Sequence, residues 1–343
     1  MDQERALTWE PPAHWQRLTV IDSHTGGEPF RVVVDGLPEV PGNTVLQRRR
    51  HAMEHLDGLR KTLMWEPRGH ADMYGGWIGA PVAEGSDLSV LFLHNEGFST
   101  MCGHGIIALG KVLIDTGIMG ASEPETTIRI DTPAGLVEAV SSVSSGTVTS
   151  TRFRNVPSFV VDLEATVDVD GYGAVRYDLA FGGAFYAIVA APSVGVSLGD
   201  AARLTDAGRR IKTAIAASRD LSHPGSSDLG FLYGVIFTGP ARDSSHHSRN
   251  VCVFADGEID RSPTGTGVSA RLAVLLARGD VEVGQEVVIE SIVGSTFRGR
   301  IVEKLGGDPP SVVPEVSGTA HIIGRSEYWI DPEDALGRGF LVR

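Results

Sequence analysis

Cysteine is scarce in this chain of 343 residues. Cys102 and Cys252 allow at most one bridge, so no disulfide framework holds the fold, and a reducing cytoplasm suits it best. Positive charge is also short. With 30 Lys plus Arg against 43 Asp plus Glu, the net charge of −13 repels polyanions and argues against nucleic acid or an anionic membrane as a partner. Membrane-length apolar runs are lacking too. The longest uncharged stretch, residues 179–199, is broken by Gly182, Gly183, Pro192 and Gly195, and its segment FYAIVAA reads as a buried strand. The first residues, MDQERALTWEPPAHW, have no apolar h-region, so 1–16 reads as an N-terminal leader and not a secretory signal.

What remains is an ordinary globular composition, 42% hydrophobic, in a chain long enough for about two domains. Short runs rich in β-branched residues predict strands: LTVIDSHT, PFRVVVDG, LSVLFLHN, TTIRIDTPAGLVEAVSS, TVTSTRFRNVPSFVV, FYAIVAA, LGFLYGVIFTG, NVCVFADG, EVVIESIV, STFRGRIVEKL and GTAHIIGRSEYWI. Amphipathic spacing predicts surface helices over HAMEHLDGLRKTLMWEP, stopping before Pro67, and over AARLTDAGRRIKTAIAASRD, with Arg209, Arg210 and Lys212 outward. GIIALGKVLIDTG and GVSARLAVLLARG are apolar on most faces and close at Gly117 and Gly279, which predicts two buried helices.

The starts of those two helices repeat. Cys102-Gly103-His104-Gly105-Ile106-Ile107-Ala108 aligns with Thr264-Gly265-Thr266-Gly267-Val268-Ser269-Ala270, offset by 162 residues. An x-G-x-G-[IV]-x-A match at nearly half the chain length points to a duplicated domain. The expected picture is two lobes, each wrapping strands around one buried helix, with both helix N-termini facing a shared cleft.

A helix N-terminus carries unpaired N–H groups and about half a positive charge, so two of them aimed at one point would hold a small carboxylate. The same field lowers the pKa of a thiol, which makes Cys102 a candidate base or nucleophile, with His104 two residues on to assist; a small buried hydrophobe is the alternative. Cys252, alternating along NVCVFADG, reads as packing.

Other chemistries fit less well. Both turns satisfy G-x-G-x-x-[GA], but NEGFSTM separates LSVLFLH from the first glycines and no βα unit follows, so a dinucleotide site is not expected. No zinc spacing can be completed from Cys102 and His104 or from His246 and His247, and no G-x-S-x-G elbow is present, so no metal is expected.

DSHTGGEP at 22–29, MCGHG at 101–105, GGAFYA at 182–187, DRSPTGTG at 260–267 and EVSGTAHIIG with IDPEDALGRGF downstream together resemble the proline racemase family. Its members include proline racemase, 4-hydroxyproline 2-epimerase and trans-3-hydroxy-L-proline dehydratase. The resemblance implies an α/β (α+β) fold of two pseudo-symmetric lobes, similar to diaminopimelate epimerase, with no cofactor, an imino-acid substrate and a possible homodimer. The lobes are expected at 17–172 plus 328–343, carrying Cys102, and at 173–327, carrying Thr264. By position, Cys102 resembles the first catalytic cysteine. Gly103 and His104 resemble the ligand-binding pair after it, Asp260 the aspartate that meets the ring nitrogen, and Gly265 and Thr266 the second carboxylate-holding turn.

One position departs from the racemase pattern, which has a second cysteine where this chain has Thr264. Racemisation needs an acid and a base on opposite faces that trade roles near neutral pH, and a threonine hydroxyl is a poor partner for that. The Cys/Thr pairing resembles that of the dehydratases, which implies α-proton abstraction by Cys102 and loss of a 3-hydroxyl as water. For Thr264 a simple helix-capping role is the alternative, and for Asp260 a turn role. A racemase or epimerase with another second acid, and a non-catalytic imino-acid-binding protein, stay open at this stage.

Overall fold

The computed structural model describes residues 3–342, so residues 1 and 2 of the expected leader and residue 343 of the expected first lobe lie outside it. The chain starts with α1 (Gln3–Leu7), β1 (Gln16–Thr25), β2 (Glu28–Asp35), α2 (Val45–His55), α3 (Asp57–Met64), β3 (Tyr74–Gly79) and β4 (Leu88–His94). It continues through β5 (Gly97–Ser99), α4 (Gly103–Asp115), β6 (Glu125–Thr132), β7 (Gly135–Ser144) and β8 (Thr147–Arg154). Next come β9 (Ser158–Val169), β10 (Gly173–Phe181), β11 (Phe185–Ala190), α5 (Ala201–Ser218), β12 (Leu232–Gly239), β13 (Ser248–Phe254) and β14 (Glu258–Ile259). The last are α6 (Gly265–Arg278), β15 (Val287–Glu290), β16 (Thr296–Leu305), β17 (Ser311–Gly318) and β18 (Ala320–Ile330).

Strand pairing falls into two runs with one plan, β18-β1-β2-β3-β4-β6-β7-β8 and β9-β10-β11-β12-β13-β15-β16-β17. Each run has two parallel pairs, β2–β3 and β4–β6 in one, β11–β12 and β13–β15 in the other. Parallel neighbours need a crossover, and helices supply it: α2 and α3, then α4, in the first run; α5, then α6, in the second. β17 pairs with β9, closing the second run, and with β8, joining it to the first. The result is a mixed α/β fold with one large sheet. α4 packs on β8, β1, β18 and β2, and α6 on β9, β17, β10 and β16.

The buried helices expected from sequence are α4 and α6. Every residue of α6 from Gly265 to Leu275 is buried, and the helix ends on Gly279 at φ 78°, where a left-handed residue without a Cβ stops it. α4 ends at Gly117, at φ 76°. All but the last residue of FYAIVAA forms β11, and among the described residues no helix is long and apolar enough to cross a membrane.

Some expectations change. The helix read over 51–67 is two helices, broken at Leu56, whose N–H caps α2 on the carbonyl of Ala52. β3 was not expected because Gly75 and Gly76 depress strand propensity. They are needed there, since a Cβ on Gly76 would stand 2.8 Å from the Phe30 ring and one on Gly75 2.6 Å from the Arg31 carbonyl. The chain crosses between runs at the β8–β9 and β17–β18 connections, earlier than the expected 172/173 and 327/328, because β9 lies along β10 and β18 along β1. The main hydrophobic core runs through both strand sets, with a smaller cluster, including Leu63, Trp77 and Leu91, under α2 and α3.

Candidate active site

α4 and α6 meet at their N-termini. A Cβ on Gly103 would stand 2.6 Å from the Cα of Gly265, so the helix ends touch backbone to backbone, which only glycine permits. Gly182 sits equally close to α6, where a Cβ would lie 2.3 Å from the Thr266 carbonyl. This convergence brings Cys102, Gly103, His104, Asp260, Thr264, Gly265 and Thr266 around one cavity, so all seven residues expected from sequence line a single site. Its free space, ≈ 10 Å³, is about the room of one water molecule.

Cys102 is the N-cap of α4, and its Sγ accepts the Gly105 N–H at 3.2 Å. Sγ also lies 3.4 Å from Nδ1 of His104. Contrary to the expectation from sequence, the helix end does not lower the thiol's pKa overall. Burial pushes it well above the ordinary range, the charges of Asp260 and Glu28 add to that, and the Gly105 N–H opposes them. His104 packs edge-on to Phe30 and Tyr74, and burial lowers its pKa to about 3, so its imidazole is neutral at neutral pH.

Thr264 opens α6 at φ 67° and ψ 95° and forms no side-chain cap, so the capping role is not what the residue does. A β-branched residue at positive φ is a true outlier, costing about 1–3 kcal/mol. Its Oγ1 is buried without a hydrogen-bond partner. The hydroxyl does lie near enough to Asp260 and Cys252 to favour their ionised forms. Asp260 is buried, accepts the Ser262 N–H at 2.7 Å, and has its pKa raised by desolvation to about 6.

Met101, Tyr74, Tyr186, Tyr233 and Phe254 complete the lining and were not picked out from sequence. The Tyr74 and Tyr233 hydroxyls meet at 3.0 Å, and Tyr186 bonds Thr266 Oγ1 at 2.7 Å. A signal was present: both Tyr74 and Tyr233 precede a glycine at the start of equivalent strands, β3 and β12, about as far apart as Cys102 and Thr264. Gly-Gly-Glu-Pro-Phe at 26–30 likewise parallels Gly-Gly-Ala-Phe-Tyr at 182–186, so Phe30 against His104 mirrors Tyr186 against Thr266. Glu28, behind Asp260, is fully buried; its Oε2 accepts the Arg261 N–H at 2.7 Å, and burial and Asp260 raise its pKa well above the carboxylate range.

A model of the family described as Proline racemase matches residues 20–341. A trans-3-hydroxy-L-proline dehydratase of Colwellia psychrerythraea is 43% identical over 343 residues, covering 98% of this chain and 96% of its own. A 3-hydroxyproline 2-epimerase of Burkholderia multivorans is 44% identical over 329 residues, covering 95% of this chain and 98% of its own. A crystal structure of a hydroxyproline epimerase from Agrobacterium vitis, with bound trans-4-hydroxy-L-proline, matches with a TM-score of 0.92 at 31% identity over 96% of each chain.

Proposed function

The chain belongs to the proline racemase family, and from that premise we propose that it dehydrates trans-3-hydroxy-L-proline to a pyrroline-2-carboxylate without a cofactor. The observation that carries this reading is the pairing of one thiol, Cys102, with one alcohol, Thr264, at facing helix ends in a single cavity. A site with two thiols can exchange protons on both faces of an α-carbon; this one has an exchanging group on one face only. Names among the relatives support it, since the Colwellia psychrerythraea protein is a dehydratase of this substrate.

In this reading the first turns of α4 and α6, at Gly103–His104 and Gly265–Thr266, hold the substrate carboxylate and stabilise the charge it gains as the α-proton leaves. Asp260 holds the ring ammonium. That ion pair offsets the Asp260 charge that raises the Cys102 pKa, so the thiol loses its proton more readily with substrate bound. The thiolate takes the α-proton and becomes a thiol, and the C3–O bond breaks. The 3-hydroxyl takes up one further proton and leaves as water, the Cys102 thiol gives its proton back to solvent so that no net proton is gained or lost, and the C2–C3 enamine tautomerises to the imine. Thr264 Oγ1, buried and unpaired, receives the departing 3-hydroxyl. His104 supplies no imidazolium proton, since its pKa is about 3.

A site with room for about one water closes on its substrate, so entry requires the two strand runs to part. Bonds that span them must then break, among them Arg261 N–H to Glu28 at 2.7 Å, Ser295 to the Gly26 carbonyl at 2.6 Å and the Arg50–Asp228 ion pair. We read the runs as two lobes on this basis.

The test is to supply purified protein with trans-3-hydroxy-L-proline and to trap the imine with an aldehyde reagent. Imine formation is expected. Absence of imine together with epimer from L-proline or a hydroxyproline would overturn the assignment in favour of an epimerase, the second reading, which the Burkholderia multivorans relative favours at 44% identity against 43% for the Colwellia psychrerythraea dehydratase.

A further inference from the structure

Thr264 needs a reason to stay at a backbone angle that a β-branched residue avoids. Its own side chain gives none, because Oγ1 makes no hydrogen bond. The restraint comes from the chain on either side. The Ser262 N–H donates to Asp260 Oδ1 at 2.7 Å, the Thr264 N–H to Ser262 Oγ at 3.1 Å, and the Val268 N–H to the Thr264 carbonyl at 2.7 Å. The Pro263 carbonyl, directly before Thr264 in the chain, accepts Nδ2 of Asn250 at 3.3 Å.

Asn250 is itself held. It is fully buried on β13, in register with Thr238 of β12, and its Oδ1 accepts Nη1 of Arg271 at 2.6 Å. A guanidinium can only donate, so Arg271 fixes which end of the Asn250 amide is oxygen and leaves the NH₂ end for the Pro263 carbonyl. Arg271 lies on α6 seven residues after Thr264, two turns along the same face, and is 9% exposed. No such clamp is required on the other side of the site, where Cys102 sits in ordinary extended geometry at φ −145°.

We infer that Asn250 and Arg271 are positioning residues that hold Thr264 in its left-handed conformation through the Pro263 carbonyl. Their effect falls on the alcohol side of the cleft and spares the thiol side. Elimination, which needs Thr264 in place, therefore depends on the clamp, and α-proton exchange by Cys102 does not. The kinetic part of this inference rests on the dehydratase reading; the conformational part stands without it.

Asn250→Asp tests it, because the carboxylate still pairs with Arg271 but can no longer donate to Pro263. The kcat for imine formation is expected to fall at least about tenfold, the effect of one lost buried hydrogen bond, while deuterium exchange at the α-carbon stays near the wild-type rate. Asn250→Ala, which removes the donor without adding charge, is expected to give the same split, with thermal melting reporting whether each variant is folded. A crystal structure of either folded variant is expected to show Thr264 at negative φ. Exchange and elimination falling together, neither of them changing, or Thr264 keeping its angle in the variant would each overturn the inference. Absence of imine with the wild type would instead sink the dehydratase reading, and the crystal structure would still decide the conformational part.

Discussion

Gly103 and Gly265 touch backbone to backbone, so that a β-carbon on Gly265 would stand 2.7 Å from the Cα of Gly103. Neither neighbour can yield, because both are main chain at the first turn of a buried helix. Gly103→Ala is expected to drive the helix ends apart, lowering kcat/KM by about 10²-fold through misplaced groups and stability by about 1–3 kcal/mol through overpacking. Steady-state kinetics and urea unfolding check both. Wild-type kinetics in this variant would mean that the contact does not set the site.

Cys102→Ser is expected to lose α-proton exchange and imine formation together, by about 10²–10⁴-fold, the usual worth of a positioned base. Solvent deuterium incorporation followed by mass spectrometry measures the first and aldehyde trapping the second. Exchange at the wild-type rate would show that another group is the base.

Thr264 offers a separation of function from folding. Its hydroxyl is buried with no geometrically formed hydrogen bond, only proximity to Asp260 and Cys252, so Thr264→Val, which keeps the shape, is expected to melt close to wild type, because little hydrogen bonding is lost. Imine formation is nonetheless expected to fall by more than about tenfold, on the scale of one lost hydrogen bond to the reacting group. Thr264→Cys places a second exchanging group in the cleft and is expected to yield 2-epimer, detected by chiral chromatography. A valine variant with full dehydratase activity would remove Thr264 from the reaction.

The pH dependence carries opposite signs from two buried groups. Asp260 is raised from 3.8 to about 6, so the folded state keeps its proton longer than the unfolded chain, and stability from this group falls as pH rises between those values. His104 is lowered from 6.5 to about 3, so its contribution is complete above pH 6.5 and is lost as pH falls toward 3. Urea unfolding of Asp260→Asn and His104→Gln across pH 3–7 is expected to separate the two slopes. In activity, kcat/KM is expected to rise through pH ~6 as Asp260 ionises to meet the ring ammonium, and Asp260→Asn is expected to lose that limb.

Much of the site was legible because its chemistry sits in the repeat itself: two Gly-x-Gly turns opening two apolar helices predict two N-termini and the residues that stand at them. Tyr74 and Tyr233 were harder to see, since a tyrosine at a strand start resembles any core aromatic until the pairing brings the two hydroxyls to 3.0 Å. The Cys102 pKa was misjudged for a related reason. Local sequence shows the helix end, but not the burial that outweighs it, nor the charges of Asp260 and Glu28, distant in the chain, that add to it. β3 escaped notice because Gly75 and Gly76 meet a tertiary need, the approach of Phe30 and Arg31, that strand propensity does not describe. The crossings between strand sets depend on long-range register, which no local pattern carries.

β18 lies along β1 over the whole length of both, Gln16 facing Ile330 and Thr25 facing Ala320. The opening strand therefore waits for β18: a nascent chain leaving the ribosome carries β1 with a bare edge until about three hundred further residues have been made. Severing the polypeptide between β8 and β9 should give no self-sufficient fragment, since the front piece would lack its last strand and the rear piece would carry a stray one. Swapping or transplanting the first half as a cassette would have to move β18 together with β1–β8.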